Sequence, residues 1–403
     1  MPHVPVAEEQ VVPPSTPTEG PVLSIVVPCL NEELTIGEFV DWCREGLAKA
    51  GVDGEILIVD SSTDRSPEIA EEHGAVALRV PRRGLGRAYI DAIPSIRGRY
   101  VLMGDCDLTY DFRELAPFVE KLEAGAEFVM GSRFRGYIEP DAMPKLHQYF
   151  GTPLTTWILN RIYGTRYSDI HCGMRAMRLD ALRRIDLQSQ GWEYASEMVI
   201  KAATLGLETE EVPVRFYKDR EGRESHHKRM GWISPWLAGW VNVKAMMMYA
   251  PHAFLTRPGA LIALVGLLIT AALAGGPFEI AGVGFDLHWM LLGLTLTTVG
   301  YSAAQLGVVS ELRHRMPRPL ARRVAETLSW NRGTGLAALL VLAGLGCTVP
   351  LVVEWVSNDF TLSGVGNLSV FGLLLVVLGF QTFCFTLLLQ IFPPSPDDDR
   401  RDT

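Results

Sequence analysis

Three acidic or amide-bearing clusters each follow a short apolar run in the sequence. Asn31, Glu32 and Glu33 follow Val26-Val27-Pro28-Cys29-Leu30, and Asp60-Ser61-Ser62-Thr63-Asp64 follows Ile56-Leu57-Ile58-Val59. Asp105-Cys106-Asp107 follows Tyr100-Val101-Leu102-Met103-Gly104. Two carboxylates two residues apart at a strand end converge on one hard cation, directly or through water. A divalent ion there neutralises a diphosphate leaving group. Alone, such a pair equally serves a turn or a helix cap; with two other polar strand ends beside it, the pattern points to a ligand site.

A second cluster is cationic. Residues 218–229 read Lys-Asp-Arg-Glu-Gly-Arg-Glu-Ser-His-His-Lys-Arg. Arg220, Arg223, Ser225 and Lys228 are suited to grip a lipid phosphate, the arginines by paired hydrogen bonds. The same segment also serves as a solvated collar drawn to anionic headgroups. His226 and His227 have no convergent partner that would make them metal ligands.

The elements that must position these groups alternate in type. Short β-branched runs at 23–28, 55–60, 75–80, 100–104 and 127–131 predict strands, and 34–50, 66–73, 85–96 and 112–123 predict helices. This alternation argues for an α/β domain with a mostly parallel sheet, where ligands bind beyond the carboxyl ends of the strands. Gly84-Leu85-Gly86 begins like a dinucleotide fingerprint, but Tyr89 occupies the third glycine position. Six scattered cysteines without a CxxC pair argue against disulfides and structural zinc. Residues 1–21 contain six prolines and no apolar leader core and read as a disordered tail.

Charge divides the 403-residue chain in two. Residues 1–256 carry 28 basic and 36 acidic side chains, whereas 257–403 carry only 9 and 10. The first part is net negative and a poor match for nucleic acid. Four uncharged stretches at 258–278, 287–310, 333–353 and 360–392 each reach the length of a membrane span. The loop between the second and third holds Arg313, Arg315, Arg318, Arg322, Arg323 and Arg332, while the other two loops hold no basic residue. The positive-inside rule therefore predicts a cytoplasmic α/β domain. Trp232, Trp236 and Trp240 predict an amphipathic juxtamembrane helix at headgroup level. The expected divisions are a tail (1–21), the α/β domain (22–225), an interfacial segment (226–256), four transmembrane helices (257–392) and an acidic cytoplasmic tail (393–403).

The strand-end clusters, with Gly131-Ser132-Arg133-Phe134, Asp169-Ile170-His171-Cys172-Gly173-Met174-Arg175 and Glu193-Tyr194-Ala195-Ser196-Glu197-Met198, resemble the family-2 glycosyltransferases of GT-A (Rossmann-like) fold. More narrowly, they resemble the polyprenyl-phosphate glycosyltransferases that include dolichol-phosphate mannose synthase. The resemblance implies that Pro28, Leu30, Asn31, Glu32, Asp60 and Asp105 bind a nucleotide sugar. It implies that Asp105 and Asp107 hold Mg²⁺ or Mn²⁺ against the diphosphate. Arg133 would lie near the sugar or acceptor phosphate, Glu197 would orient a sugar hydroxyl, and Arg82 and Arg83 would lie near the donor diphosphate. The implied reaction is inverting transfer of a hexose from a GDP-mannose or UDP-glucose type donor to a polyprenyl monophosphate on the cytoplasmic membrane face. Another lipid or a polysaccharide is the alternative acceptor. The family's second motif usually reads DDGSTD, one residue longer than here, and Thr109 stands where close mannose synthases have Gln. The QxxRW of processive synthases is missing. The sequence leaves the sugar, prenol length and oligomeric state open.

Overall fold

A computed structural model describes residues 20–220, 240, 243–244, 247–313, 319–361, 364 and 366–391. The chain forms two units, divided between Asn242 and Val243.

In the first unit, β1 (Leu23–Cys29) is apolar almost throughout because both of its faces are covered. Its neighbours are β2 (Gly54–Asp60), β3 (Val76–Arg79) and β4 (Tyr100–Met103). The sheet order is β3-β2-β1-β4-β6-β5-β7, with β5 at Phe128–Ile138, β6 at Arg175–Arg178 and β7 at Thr209–Phe216. Only β6 runs antiparallel to its neighbours, so the sheet is mostly parallel, as expected. Register pairs Cys29 with Asp60 and Val26 with Met103. The three chemistry-bearing strand ends therefore share one edge.

Helix α1 (Ile36–Ala50) buries Phe39, Val40, Cys43 and Leu47, a stripe at helical spacing. It stops at Gly51, whose φ of 65° takes the left-handed C-cap conformation. α2 (Ser66–Glu72) is close to expectation. Two other expected helices are split. Residues 85–96 become α3 (Leu85–Ala92) and a 3₁₀ turn at Ile93–Ser95, where Pro94 removes a backbone donor. Residues 112–123 become a 3₁₀ turn capped by Asp111, then α4 (Ala116–Glu123) with Pro117 in its first turn. Helices α5 (Thr152–Tyr163), α6 (Leu179–Ile185) and α7 (Tyr194–Thr204) complete the unit.

The second unit contains four helices long and apolar enough to cross a membrane: His252–Leu273, Leu287–Leu312, Trp330–Ser357 and Asn367–Ile391. The first begins six residues before the expected start and ends at Leu273, ahead of Gly275-Gly276-Pro277. A small hairpin, β8 (Phe278–Ile280) with β9 (Val283–Phe285), then leads to the second. Glycines bring helix backbones together: a Cβ on Gly266 would stand 2.5 Å from the Gly293 carbonyl, and one on Gly344 equally close to that of Gly372. The second and fourth helices are joined by Tyr301 Oη to Thr382 Oγ1 at 2.8 Å and by Gln381 Nε2 donating to Ser302 Oγ at 2.9 Å. His252 and Glu311 face each other at 3.3 Å between the first and second.

Candidate active site

The first two strand-end loops are stitched to each other. Asn31 sits in the left-handed region at φ 58°, a conformation asparagine tolerates better than most residues. Its N–H donates to Ser62 Oγ at 2.8 Å, and its Oδ1 accepts from the Thr63 N–H at 2.9 Å. The Glu32 N–H donates to Ser66 Oγ at 2.8 Å, and that hydroxyl donates to Asp64 Oδ1 at 2.6 Å. Glu32 is buried. Asp60 is fully buried; its Oδ2 accepts from the Ser62 N–H and from Arg79, while Oδ1 has no hydrogen-bond partner among the described residues. Asp60, Ser61, Ser62, Arg79, Val80 and Pro81 line an open cleft of ≈ 370 Å³. Pro28 and Leu30 are half-buried, Pro28 pairs with Val59 across β1 and β2, and the Pro28 carbonyl accepts from Cys106 Sγ. The ends of β1 and β2 thus hold Asn31, Glu32 and Asp60 in neighbouring, hydrogen-bonded loops.

Beyond β4, Asp105 and Asp107 are both half-buried. Thr109 donates to Asp107 Oδ1 through its N–H at 3.0 Å and its hydroxyl at 2.5 Å. Where the family resemblance suggests a third metal contact, Thr109 instead orients the carboxylate. Asp105 is backed by buried tyrosines. Burial, then the neighbouring Tyr194 and Asp105, push the Tyr89 hydroxyl well up; burial and Asp105 push Tyr194 up to about 12. Burial likewise raises Tyr110, despite Arg133. All three remain protonated donors near neutral pH. Tyr89 Oη donates to the Gly104 carbonyl at 3.0 Å, and the Gly173 N–H donates to Tyr110 Oη at 2.8 Å. A Cβ on Gly173 would stand 2.6 Å from Asp105 Oδ2 and 2.9 Å from the Tyr110 ring. Gly173→Ala is therefore expected to displace Asp105 and lower turnover by about 10-fold or more. Steady-state kinetics check this, with thermal unfolding to verify the fold.

No group of three or more His, Cys, Asp or Glu side chains converges as a self-contained metal site among the described residues. Two half-buried carboxylates nevertheless fit a hard cation that takes its remaining oxygens from phosphates and water, as Mg²⁺ commonly does. Asp105 and Asp107 are the residues that would hold it.

Several other expected site residues have charged partners within the protein. Arg133 is buried and spends its fork on Asp169, with Nε to Oδ2 at 2.7 Å and a terminal nitrogen to Oδ1 at 2.9 Å. Burial works against both charges; even so, the pair holds Arg133 well above and Asp169 below their ordinary ranges. His171, next to the pair, is pushed down to about 4 by burial, against the pull of Asp169. It lies 2.8 Å from Thr155 Oγ1.

Glu197, expected to orient a sugar hydroxyl, has both carboxylate oxygens engaged within the protein. It is fully buried, and its two oxygens accept from the N–H groups of Gln188 and Ser189 at 3.0 and 2.8 Å, with Lys201 at 2.5 Å. It holds the segment that packs on the Gly84 loop, where Cβ atoms on Gly84 and Gly86 would strike the Gln190 and Ser189 carbonyls at 2.2 Å. Those glycines therefore serve close chain packing. Arg83 pairs with Asp91, and Arg82 is exposed. Arg220 pairs with Glu38 of α1. Arg223, Ser225, Lys228, His226, His227, Trp232 and Trp236 lie outside the described residues.

The sequence reading missed Tyr89, Tyr110 and the role of Gly173. The only available signal was Tyr89 standing where a dinucleotide fingerprint requires glycine. It also missed Arg175 as a buried prop, donating to the Cys172 carbonyl at 2.6 Å and the Ala195 carbonyl at 3.0 Å.

Comparison with known proteins agrees with this architecture. Residues 24–186 match the model of glycosyl transferase family 2, and 306–393 match the family-2 C-terminal transmembrane region. The low-salt glycan biosynthesis hexosyltransferase Agl6 of Haloferax volcanii is 36% identical over 375 residues, covering 92% of this chain and 89% of that protein. The dolichyl-phosphate hexose transferase of the same organism is 30% identical over 203 residues, covering 50% of this chain and 84% of that one. Among solved structures, mannosyl-3-phosphoglycerate synthase from Rubrobacter xylanophilus is 22% identical over 56% of this chain and 72% of its own, with a TM-score of 0.44. The chain belongs to glycosyltransferase family 2: it is an integral membrane glycosyltransferase with a GT-A-like α/β domain followed by four transmembrane helices.

Proposed function

We propose that this enzyme transfers a hexose from a nucleotide sugar to a polyprenyl monophosphate, with the α/β domain on the cytoplasmic side. The observation that carries the reading is the meeting of Asp60 and its cleft with Asp105 and Asp107 at one sheet edge, on a chain that also carries its own membrane anchor. The name of the dolichyl-phosphate hexose transferase relative supports the acceptor class and the sugar class. Five arginines between the second and third spans, with Arg332 in the first turn of the third, support the orientation.

Asp60 would receive the nucleoside, and Asp105 and Asp107 would hold a divalent cation. Such an ion supplies charge neutralisation for the departing diphosphate. A phosphate acceptor is already ionised near neutral pH, so the site needs no strong general base. This agrees with Glu197 being occupied by backbone donors. Displacement in one step inverts the anomeric centre. A second acceptor, a lipid-linked glycan, is favoured by the glycan-biosynthesis role in the name of the Haloferax hexosyltransferase.

The acceptor phosphate is confined to headgroup depth, and residues 218–229 join the α/β domain to the membrane part with a dense set of cations. Arg223→Ala is expected to weaken acceptor use while leaving donor affinity nearly unchanged, and lysine is expected not to restore the planar fork. The test pairs donor calorimetry with acceptor dependence of the rate at saturating donor. Equal loss of both would assign Arg223 to the donor site or to folding.

A further inference from the structure

Two arginines are buried among the described residues, and they are satisfied in different ways. Arg133 is paired through both arms of its fork with Asp169. Arg175 is 1% exposed, yet among the described residues its terminal nitrogens meet only neutral groups. These are the Ala195 carbonyl at 3.0 Å, the Cys172 carbonyl at 2.6 Å and Met198 Sδ at 3.9 Å. Its Nε has no hydrogen-bond partner among the described residues, and the centroid of the Tyr194 ring lies 5.8 Å from Cζ. A buried cation compensated only by carbonyl dipoles and a ring is costly, and arginine cannot shed its proton. A buried charge left in this condition beside a candidate site points to a ligand that completes it.

Position tells which ligand. Arg175 opens β6, where it pairs with Met103, the last residue of β4. Asp105 stands two residues beyond Met103, and Gly173 stands two residues before Arg175. A Cβ on Gly173 would lie 2.6 Å from Asp105 Oδ2. The Tyr194 hydroxyl feels both charged groups: burial raises it most, Arg175 pulls it down and Asp105 pushes it up. Tyr89, whose ring lies 4.9 Å from that of Tyr194, feels the same two charges behind the effects of burial and of Tyr194 itself. The guanidinium thus stands behind the tyrosine layer that backs Asp105.

We propose that Arg175 is a positioning residue for the departing diphosphate: its uncompensated buried charge favours the negative charge that grows at this strand end as the sugar leaves. The proposal rests on the nucleotide-sugar reading above and is independent of the acceptor. As the C1–O bond breaks, its electron pair passes to the β-phosphate oxygen, and the diphosphate gains one negative charge. A fixed cation behind the site favours that state over the intact donor, and needs no reorganisation during the reaction. The intervening tyrosines are buried, so salt and water screen the attraction weakly.

Calorimetry on the full-length protein in nanodiscs, with Mn²⁺, compares UDP with UDP-glucose and GDP with GDP-mannose. At about pH 8 the free diphosphate carries one more charge than its sugar ester, because its terminal phosphate has a pKa of about 6. Arg175→Gln removes the charge and keeps an amide donor for the carbonyls. It is expected to weaken binding of the free diphosphate about 5-fold more than that of the sugar ester, the loss of one unit-charge attraction inside the protein. Turnover is expected to fall by a similar factor. Arg175→Lys keeps the charge without the fork, and is expected to lower thermal stability while holding the parent ratio of the two affinities. Arg175→Met replaces Arg175→Gln if the latter does not fold. An unchanged ratio in the uncharged variant, or the same shift in Arg175→Lys, overturns the inference and leaves Arg175 as a prop for the Ala195 and Cys172 carbonyls. A parent enzyme that binds neither nucleotide pair would overturn the nucleotide-sugar reading, and the inference with it.

Discussion

Asp107→Asn is expected to lower turnover by about 100-fold or more, the size of losing one preorganised electrostatic contact. The substitution keeps the shape of the side chain and its acceptor oxygen, so Thr109 can still donate through its N–H and hydroxyl. What is lost is the negative charge that, with Asp105, suits this strand end to a divalent cation. Excess chelator is expected to do the same to the unmodified enzyme and to be reversed by added Mg²⁺ or Mn²⁺. Kinetics under both conditions, with unfolding curves to verify the fold, provide the check. An Asp107→Asn enzyme fully active in EDTA would remove both carboxylates from the chemistry.

Asp169→Asn is expected to destabilise the α/β unit by about 3–5 kcal/mol, because it leaves the buried Arg133 guanidinium without its counter-charge. Replacing both partners, with Arg133→Met and Asp169→Leu, is expected to recover part of that loss. The pH dependence has a defined sign. Burial opposes the charge on Asp169, but Arg133 and its hydrogen bonds outweigh it and hold the folded pKa below the ordinary value. The contribution is therefore complete above the unfolded pKa of about 3.9 and is lost as pH falls through the lower, folded one. Hydrogen exchange of residues 128–138 in the detergent-solubilised enzyme measures the effect. A change under about 1 kcal/mol would show that Arg133 finds another acceptor.

The parts legible in the sequence were those written in local pattern. β1 and β2 announced themselves because strands buried on both faces must be apolar throughout. The strand-end acids were visible because polar groups directly after such runs have few reasons to be there. β6 was not legible: Arg-Ala-Met-Arg is short and flanked by charge, and it enters out of order between β4 and β5. Nor did sequence show where charged side chains end up. Arg133 has the composition of a phosphate ligand, yet its partner stands thirty-six residues away at Asp169. Glu197 is satisfied by backbone N–H groups that no side-chain pattern reveals. The first helix starts at His252, six residues ahead of the uncharged stretch that follows Arg257 in the sequence. A long basic side chain near a helix end can reach the interface while its helix continues.

The proposed acceptor chemistry is tested most directly by giving the purified enzyme in nanodiscs a sugar-labelled nucleotide donor with a divalent cation. Polyprenyl monophosphate, the corresponding polyprenol without phosphate, and diacylglycerol are offered separately as acceptors. The account predicts that label enters the lipid fraction only with the monophosphate, in a product that mild acid cleaves to free hexose. Equal transfer to the polyprenol or to diacylglycerol, or transfer to a glycan with none to the monophosphate, would contradict it.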